Sequence, residues 1–433
     1  MTTTHPHDLV IGLDRSDRKA DLHFIDTRSG KQWSQTIDTQ PESLHQWLAD
    51  LRQQYPQAKV ALCVEQPAVA LLAFLEAYGW ITLYAINPAT LFNYRLSFVT
   101  SRAKDDTMDA YYLADLLLTH HHKLPVWTPE DSQTRALQLL VLHRRNVVDE
   151  RTALTNCLQG LLKQYFPQAL ALCSEDLWRP LATDFLLKWP TLQKVQKART
   201  SSLIQFYHLH GSRSQSLLDK RLDLIGKAVA LTDEPALLET YSLRVELLCR
   251  QLQQVVRTIK KFDQQIAEAF AEHPDQSIYA HLPGAGPTFA PRLLAALGTN
   301  RDRFPKAKNL QCYSGVAPVT KQSGKKNHVH RRYLCTKFLR QTFHEYAKES
   351  ILHSRWAAAF YLQQRIKGAS HNIAVRALAY KWQRIIWKCW QDHQPYRDEQ
   401  YEQVLKKRKS PIVSLFHEIQ VGKSPWKNRE NKT

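Results

Sequence analysis

Four acidic residues in the first part of the chain are of a type and spacing that could bind metal ions. Asp14 and Glu65 each follow a run of apolar residues that predicts a buried strand. Asp106 and Asp109 are three residues apart, and on a helix this spacing directs both side chains from one face. Carboxylate oxygens suit Mg²⁺, and a pair of such ions can stabilise the attacking and leaving oxygens of phosphoryl transfer. If these side chains converge, they predict Mg²⁺-dependent cutting or joining of nucleic acid.

Each of these acids also has a simpler interpretation. Asp106, in KDDTMDA, could be a helix N-cap, and Asp14 could close a hairpin turn. Glu65 is harder to explain in this way, because a carboxylate directly after a buried strand needs a reason to be there. The order of the acids on their predicted elements therefore supports a metal site more strongly than any one of them does.

The apolar pattern predicts the elements that would position these acids. Three antiparallel strands joined by tight turns come first, followed by a helix, the strand with Glu65, a second helix and another strand, and then a helix that begins near Asp106. This order, βββαβαβ and a helix, predicts a mixed sheet covered by helices, as in RNase H-like nucleases. The actin-like ATPases share the sheet order, but they need glycine-rich turns for phosphates, and the first turn here, DRSDRK, has no glycine.

The rest of the chain is predicted to be mostly helical. Residues 132–166 show helical spacing of apolar residues up to Pro167, and helices are predicted again from Arg331 to about His393. A heptad stripe between them predicts an elongated helical insert, which packs either within its own domain or as an intermolecular coiled coil. The basic C-terminal tail, with KKRK at 406–409, is expected to be mobile. The stripe consists of Val245, Leu248, Leu252, Val255, Ile259, Phe262, Ile266 and Ala269.

The charge of the chain favours a polyanionic partner. Lysine and arginine number 59 against 40 acidic residues, which gives a formal net charge of +19. Such an excess attracts nucleic acid and is stabilised by counterion release, although charge alone would also fit any soluble basic protein. Eleven tryptophans and seventeen tyrosines add a modest argument, since aromatic rings can stack on unpaired bases.

Cysteine usage and hydropathy bear on the compartment. The seven cysteines are scattered, odd in number and never form CxxC, which predicts a reduced, cytosolic protein without a structural zinc site. The first eight residues lack an apolar signal region, and no run of about 18 apolar residues occurs. We therefore expect neither export nor a membrane span.

Motifs in both halves of the chain resemble those of the DEDD transposases, which comprise the Piv-type invertases and insertion-sequence recombinases guided by a bridge RNA. The resemblance implies a RuvC-like (RNase H fold) domain at 1–125, a helical coiled-coil region at 126–275, a mostly helical transposase domain at 276–395 and a basic tail at 396–433. The motifs are IGLD at 11–14, VEQP at 64–67, KDDTMDA at 104–110, LPGAGPTFAPRLLAALG at 282–298 and YSGVAPVTKQSGKK at 313–326.

The resemblance also implies roles for residues and partners. The four acids named above match the family's metal ligands, and Ser323 matches the nucleophile that forms a covalent phosphoserine link to DNA. The family motif usually has a small polar residue where this chain has Asp105, so either Asp105 or Asp106 could be the ligand. A bridge RNA would select donor and target DNA by base pairing. Dimers or tetramers would form composite sites from the RuvC-like domain of one subunit and the transposase domain of another.

The surroundings of Ser323 fit the role that the resemblance implies. A serine before glycine is usually a turn residue, but this one lies among cations that could hold a phosphodiester. A serine nucleophile retains the energy of the broken bond, so strands can be rejoined without ATP. Ser314 is a rival with fewer cations near it. The cations are Lys321, Lys325, Lys326, His328, His330, Arg331 and Arg332.

The PGAG segment at 283–286 is the last candidate contact with nucleic acid. It looks like the hairpin of helix-hairpin-helix modules, in which glycine amides at a helix start bind phosphate, so Gly284 and Gly286 are candidate ligands. A structural turn is an equally good interpretation.

The sequence thus predicts a Mg²⁺-dependent DNA transposase that acts through four carboxylates and a covalent phosphoserine. One alternative is a RuvC-like structure-specific nuclease that uses water as the nucleophile. The other is a nucleic-acid-binding protein without catalytic activity.

Overall fold

The computed structural model describes residues 5–65, 69–98, 106–173, 176–324, 326–333 and 335–423. The chain divides into an N-terminal unit, Met1–Glu130, and a C-terminal unit, Asp131–Thr433. None of the helices in these described ranges is long and apolar enough to span a membrane.

A five-stranded mixed sheet forms the centre of the N-terminal unit. Its strands lie in the order β3-β2-β1-β4-β5. The first three are antiparallel neighbours, whereas β1, β4 and β5 run parallel and are joined by helical crossovers. The three initial strands and the mixed sheet are therefore confirmed. The strands are β1 (Leu9–Arg15), β2 (Lys19–Asp26), β3 (Gln32–Asp38), β4 (Val60–Glu65) and β5 (Ile81–Ile86).

Helices cover both faces of this sheet. The side chains of Leu9, Ile11 and Leu13 pack on one face with those of the first two helices, and Val10 packs on the other face with the fourth helix. The third helix was not predicted; Asn87 caps it by accepting a hydrogen bond from the Ala89 amide, and a proline follows Asn87. The helices are α1 (Pro41–Gln54), α2 (Val69–Glu76), α3 (Pro88–Leu96) and α4 (Asp106–His120), and a 3₁₀ turn follows at His121–Lys123.

Two long antiparallel helices, α5 and α11, support the first part of the C-terminal unit. Val245 and Leu248 of the heptad stripe are buried with Leu158 of α5, and Ile266 packs near Leu137 at the opposite ends of both helices. The stripe thus packs within its own chain. The helices are α5 (Ser132–Tyr165), α6 (Ala169–Leu172), α7 (Pro180–Lys188), α8 (Leu192–Gln196), α9 (Thr200–Leu209), α10 (Gln215–Lys227) and α11 (Pro235–Ala271).

A second core of the same unit is built around three buried tryptophans, Trp356, Trp382 and Trp390. The sequence predicted helices from Arg331, but the helix begins at Lys337, and a two-stranded hairpin lies before it. The elements are α12 (Gln276–Ala280), α13 (Gly286–Leu297), α14 (Ala307–Tyr313), β6 (Val319–Ser323), β7 (Lys326–His330), α15 (Lys337–His353), α16 (Arg355–Ile366), α17 (His371–Asp392) and α18 (Asp398–Lys407), with 3₁₀ turns at Arg301–Arg303 and Pro411–Glu418.

The region expected to be a mobile basic tail is ordered over most of its length. Tyr396, Leu405, Ile412 and Phe416 are buried in the tryptophan core. Apolar residues at helical spacing anchor α18 and the following 3₁₀ turn, while the lysines and arginines between them face outward. The prediction of a mobile tail is therefore wrong for residues 396–418.

Candidate functional site

Asp14 and Glu65 lie at the same edge of the sheet. Strands β1 and β4 are parallel, and Leu13 is opposite Val64, so the next residue on each strand is one of the two acids. Side chains alternate between the faces of a strand. Asp14 therefore lies on the same face of the sheet as Val10 and Gly12. Cys63 packs in the same cluster as Val10, so Glu65, two residues after Cys63, also lies on this face. The predicted convergence of these two acids is supported by the strand register.

Gly12 allows helix α4 to lie close to this edge. A Cβ atom on Gly12 would lie 2.0 Å from the carbonyl oxygen of Ala110 and 2.6 Å from the amide nitrogen of Ala114. Any other residue would push α4 away from β1. Because Asp109 precedes Ala110, this close approach places the first part of α4 beside the strand that carries Asp14. In the sequence, Gly12 stands out only as part of the IGLD motif, and nothing there indicates this packing role.

Asp109 is held by an arginine that sequence analysis missed. Only 8% of Asp109 is exposed, and its Oδ1 accepts a hydrogen bond of 2.8 Å from Nη1 of Arg95 on α3. The Arg95 side chain is itself largely buried, and its Nε has no hydrogen-bond partner among the described residues. A nearly buried carboxylate needs a neighbouring cation, and Arg95 supplies it.

Asp106 is the first residue of α4 and keeps its three-residue step to Asp109 along the helix. Its side chain and the whole of Asp105 lie outside the described part of the molecule, so the choice between them stays a prediction. Asp21 of β2 is an acid that the sequence analysis missed: it lies directly opposite Asp14 and accepts a hydrogen bond from Thr36. Residues directly opposite each other on antiparallel strands lie on the same face of the sheet. Pairing the first two predicted strands residue by residue could therefore have placed Asp21 beside Asp14.

The donor set is chemically suited to Mg²⁺. Asp14, Glu65 and Asp109 carry hard oxygen ligands of the kind that Mg²⁺ binds. Among the described side chains, however, no group of three or more His, Cys, Asp or Glu residues is arranged so that it could hold a metal ion, so the structure does not bring these three acids together as one site. Their convergence on Mg²⁺ therefore stays a prediction.

Ser323 ends strand β6 at the tip of a hairpin that sequence analysis did not predict. It is exposed and pairs with Lys326 of β7, with a two-residue connection between them. The first connecting residue, Gly324, has a φ of 56°, which suits glycine. Lys325, the second, lies outside the described residues. The hairpin thus presents the serine hydroxyl to solvent.

Cations surround this hairpin. Arg332 is partly buried, and its Nη2 lies 3.9 Å from Sγ of Cys312. Burial lowers the pKa of Arg376, and the nearby charges of Arg331 and Arg340 lower it further, so these arginines lie close enough to repel one another. Positive charges grouped in this way attract phosphate. The exposed cationic and imidazole side chains are Lys321, Lys326, His328, His330 and Arg331.

The rival serine, Ser314, has a structural role. It is fully buried, its hydroxyl donates to the carbonyl of Gln311 at 3.2 Å, and it accepts from Nε2 of Gln383 at 2.7 Å. A hydroxyl fixed in this way cannot reach a phosphodiester. Ser323 is the better candidate nucleophile of the two.

The two glycines of PGAG differ in their surroundings. Gly284 has a φ of 75°, and a Cβ there would lie 2.6 Å from the ring of His353, so it forms a turn packed against α15. Gly286 begins α13 with a φ of 47° and has open space around its Cα. Pro287 follows and has no amide hydrogen. The turn interpretation accounts for Gly284, while a backbone contact with phosphate stays a prediction for Gly286.

Comparisons with known proteins match both regions. The family model for DEDD transposases of the IS110 type, described as a transposase, covers residues 11–167 and so includes all four predicted acids. The model described as the transposase IS116/IS110/IS902 family covers residues 277–362, which include PGAG and Ser323.

Similar proteins come from insertion elements. A mini-circle protein of Streptomyces coelicolor, named as a transposase for IS117, is 29% identical over 90% of this chain and 95% of its own length. A 43.6 kDa protein of insertion element IS110 from the same species is 25% identical over 77% of this chain and 82% of its own length. A 42 kDa protein of insertion element IS900 from Mycobacterium paratuberculosis is 25% identical over 76% of this chain and 81% of its own length.

Proposed function

Because the chain belongs to the DEDD transposase family and is a DNA transposase of an insertion sequence, we propose that it cuts and rejoins DNA through its carboxylates and Ser323. One observation carries the proposal: Ser323 is exposed at the tip of a cation-rich hairpin, whereas the rival Ser314 is buried and hydrogen-bonded. We assign the carboxylate chemistry to a RuvC-like domain at 1–125 and the serine chemistry to a transposase domain at 276–395.

The proposed metal ligands are Asp14, Glu65, Asp109 and either Asp106 or Asp105. When bound, Mg²⁺ would neutralise charge that develops on the phosphate oxygens. The protein's own contribution is to orient the ligands. Parallel strands fix Asp14 and Glu65, and Arg95 holds the Asp109 carboxylate in one direction until substrate and ion arrive.

Ser323 then acts as the nucleophile. Its Oγ forms a bond to phosphorus, the bond from phosphorus to the 3′ oxygen breaks, and the serine proton ends on the released 3′-hydroxyl. The product is a 5′-phosphoserine link, which a 3′-hydroxyl of another strand can attack to restore a phosphodiester. Lys326, which is exposed and pairs with Ser323 at the tip of the hairpin, would bind the phosphate during both steps. Arg331, which is exposed after the other end of β7, would bind the DNA backbone farther from the reacting phosphate.

The partners follow from the family. We propose that a bridge RNA selects donor and target DNA by base pairing, so that the protein itself need not read many bases. We further propose a dimer or tetramer in which Ser323 of one copy serves the carboxylates of another. The charge of +19 fits a complex with both kinds of nucleic acid.

A covalent adduct tests the mechanism. The full chain, purified with its RNA, is incubated with Mg²⁺ and labelled donor DNA and then denatured. We expect a protein-DNA adduct with the natural chain and with Ser216→Ala, an exposed control serine on α10, and none with Ser323→Ala. Adducts that persist in Ser323→Ala would overturn the assignment of the nucleophile. Cut DNA without an adduct in the natural chain would favour the hydrolytic nuclease.

A further inference from the structure

A row of basic side chains runs along one side of helix α15. Its members follow one another in steps of three, four and four residues, a spacing that brings side chains to the same side of a helix. The first and last members are exposed, and the two between them are half-buried. At roughly 1.5 Å per residue of helix, the row is about 16 Å long. The members are Lys337, Arg340, His344 and Lys348.

Arg376 of helix α17 joins this row to the end of the β6–β7 hairpin. Burial lowers the pKa of Arg376, and the charges of Arg331 and Arg340 lower it further, so Arg376 lies near both. Burial also lowers the pKa of His344; a hydrogen bond with the backbone of Asn372 opposes this, and the charge of Arg376 adds to it. We call the row together with Arg331 and Arg376 the basic face.

The cations of the basic face lack the acidic partners that several exposed cations elsewhere in the C-terminal unit have. Lys227 pairs with Asp223 at 2.8 Å, and Lys388 pairs with Asp392 at 2.8 Å, in each case four residues apart on one helix. Within the part of the chain that the structure describes, no member of the basic face forms an ion pair with an acid. Its positive charge is therefore available to attract an anion.

The two acids of α15 are bound to other partners. Glu345 accepts a hydrogen bond of 2.7 Å from Nη1 of Arg292, a nearly buried side chain of α13. Glu349 pairs with His353 of the same helix at 3.2 Å. Neither acid therefore pairs with the row. A polyanion such as DNA would relieve the repulsion among its cations, whereas a protein surface with charges of both signs would not.

The hairpin sets the distance between the basic face and Ser323. Ser323 pairs with Lys326 at one end of strand β7, and Arg331 follows the other end. The five residues of β7, at roughly 3.3 Å each, separate these ends by about 17 Å. One strand of DNA advances about 3.4 Å per nucleotide, so this distance corresponds to about five nucleotides. The row on α15 adds up to about 16 Å, or about five nucleotides more.

We propose that the basic face binds the backbone of the donor DNA about five to ten nucleotides from the phosphate that Ser323 attacks. The proposal rests on the proposed function, because Ser323 defines which phosphate that is. A DNA strand that presents a phosphate at the tip of the hairpin and continues along it reaches Arg331 first and the row next. This continuity favours DNA over RNA as the occupant. Backbone contacts of this kind fix the register of the DNA on the protein.

Two lysine substitutions at the exposed ends of the row test the proposal without disturbing buried contacts. The full chain, purified with its RNA, is titrated with labelled donor DNA in Ca²⁺ at several salt concentrations. The double variant Lys337→Gln and Lys348→Gln should bind about 10-fold more weakly and lower the slope of log K against log salt by about 1.8. The control, Lys227→Gln with Lys388→Gln, removes the same charge from ion-paired lysines and should change neither quantity.

Neutral linkages in the DNA test the predicted distance. Methylphosphonates replace the phosphates about five to ten nucleotides from the cut. They should weaken binding by the natural chain about 10-fold and weaken binding by the double variant of the row little further, because the contacts that they remove are already lost. Equal weakening of both proteins would mean that the basic face does not contact these phosphates, and the proposal would be wrong.

Two other results would overturn the proposal. One is an unchanged slope in the double variant of the row. The other is loss of the co-purifying RNA from that variant with undiminished DNA binding, which would make RNA the occupant. Ser323→Ala separates the two proposals: we expect it to bind DNA with the natural slope while it forms no adduct. A reduced slope in the double variant, without any adduct in the natural chain, would count against the nucleophile alone. Adducts together with an unchanged slope would count against the basic face alone.

Discussion

The acidic face of the N-terminal unit and the β6–β7 hairpin of the C-terminal unit are built in opposite ways. Asp14 and Glu65 extend from a buried five-stranded sheet, and Asp109 is nearly buried on helix α4, which Gly12 allows to approach that sheet. Ser323 lies on two strands whose described residues are almost all exposed. A two-stranded hairpin is only marginally stable by itself in water.

This difference corresponds to two chemical tasks. Metal ligands need fixed positions, because small displacements of a catalytic group lower the rate steeply. A nucleophile that must reach a phosphate inside a large nucleic-acid complex benefits from an exposed position, and the complex can order the hairpin when it binds. We therefore expect packing changes on the acidic face to disturb both the fold and the chemistry, and changes of exposed side chains on the hairpin to affect the chemistry with little effect on the fold.

The largest effect is expected from Asp14→Asn. Removing one charged ligand should lower strand cleavage by a factor on the order of 10⁴, while binding to the co-purifying RNA should stay nearly unchanged. Cleavage of labelled donor DNA and RNA retention measure the two effects. Asp50→Asn, on α1 at the opposite face of the sheet, is the matched control and should cleave normally. Unaltered recombination by Asp14→Asn would remove the metal site from the proposal.

A pair of glycine substitutions compares the two regions directly. Gly12→Ala places a Cβ within 2.0 Å of the Ala110 carbonyl oxygen, so it should displace α4, destabilise the protein by about 1–3 kcal/mol and reduce cleavage strongly. Gly324→Ala meets no atom within 4 Å and should cost about 1 kcal/mol of local strain, from its φ of 56°. Urea unfolding and cleavage assays measure both. Equal losses of stability would contradict the contrast between the acidic face and the hairpin.

The sequence predicts the strands that carry Asp14 and Glu65 because their signals are local. The strands before Asp14 and Glu65 are continuous apolar runs, and burial on both faces of the sheet explains them. Helix α3 was missed although it carries a start signal, Asn87 followed by Pro88. The contact of Arg95 with Asp109 joins two helices in space, and no spacing within the chain indicates it.

The hairpin was missed because it buries almost nothing. Apolar alternation, the main signal of a strand, arises when one face of a strand is buried. Strand β7 has only one apolar residue, Val329, and that side chain is exposed. The ordered region after residue 396 was missed for a related reason: Leu405, Ile412 and Phe416 are anchors spread among many charges. The high content of charged residues in this region predicts disorder, although the few apolar residues are enough to anchor it to the core.

A smaller effect is expected for the cations of the hairpin. Lys326→Gln and Arg331→Gln each remove one exposed charge, so each should weaken DNA binding and reduce the slope of log K against log salt by about 0.9. Binding titrations between low and moderate salt measure this slope. Lys227→Gln, a control on α10 whose charge pairs with Asp223, should leave the slope unchanged. An unchanged slope in both hairpin variants would mean that the hairpin does not contact phosphate.

The smallest effect is a pH dependence to which two histidines of the N-terminal unit contribute. Burial lowers the pKa of His5 and of His7, and the charges of His5, His121 and Lys59 add to this for His7, while Asp8 opposes it. Below the ordinary value of 6.5, the unfolded chain therefore binds protons that the folded chain excludes, and stability falls as the pH is lowered. Urea unfolding at pH 7.5 and 5.5 should show this loss, and it should be smaller in a variant with His5→Gln and His7→Gln. If the variant lost as much stability as the natural chain between these pH values, groups other than His5 and His7 would be responsible for the acid sensitivity. The hairpin should contribute none of it, because an exposed strand pair has little buried structure for protonation to disrupt.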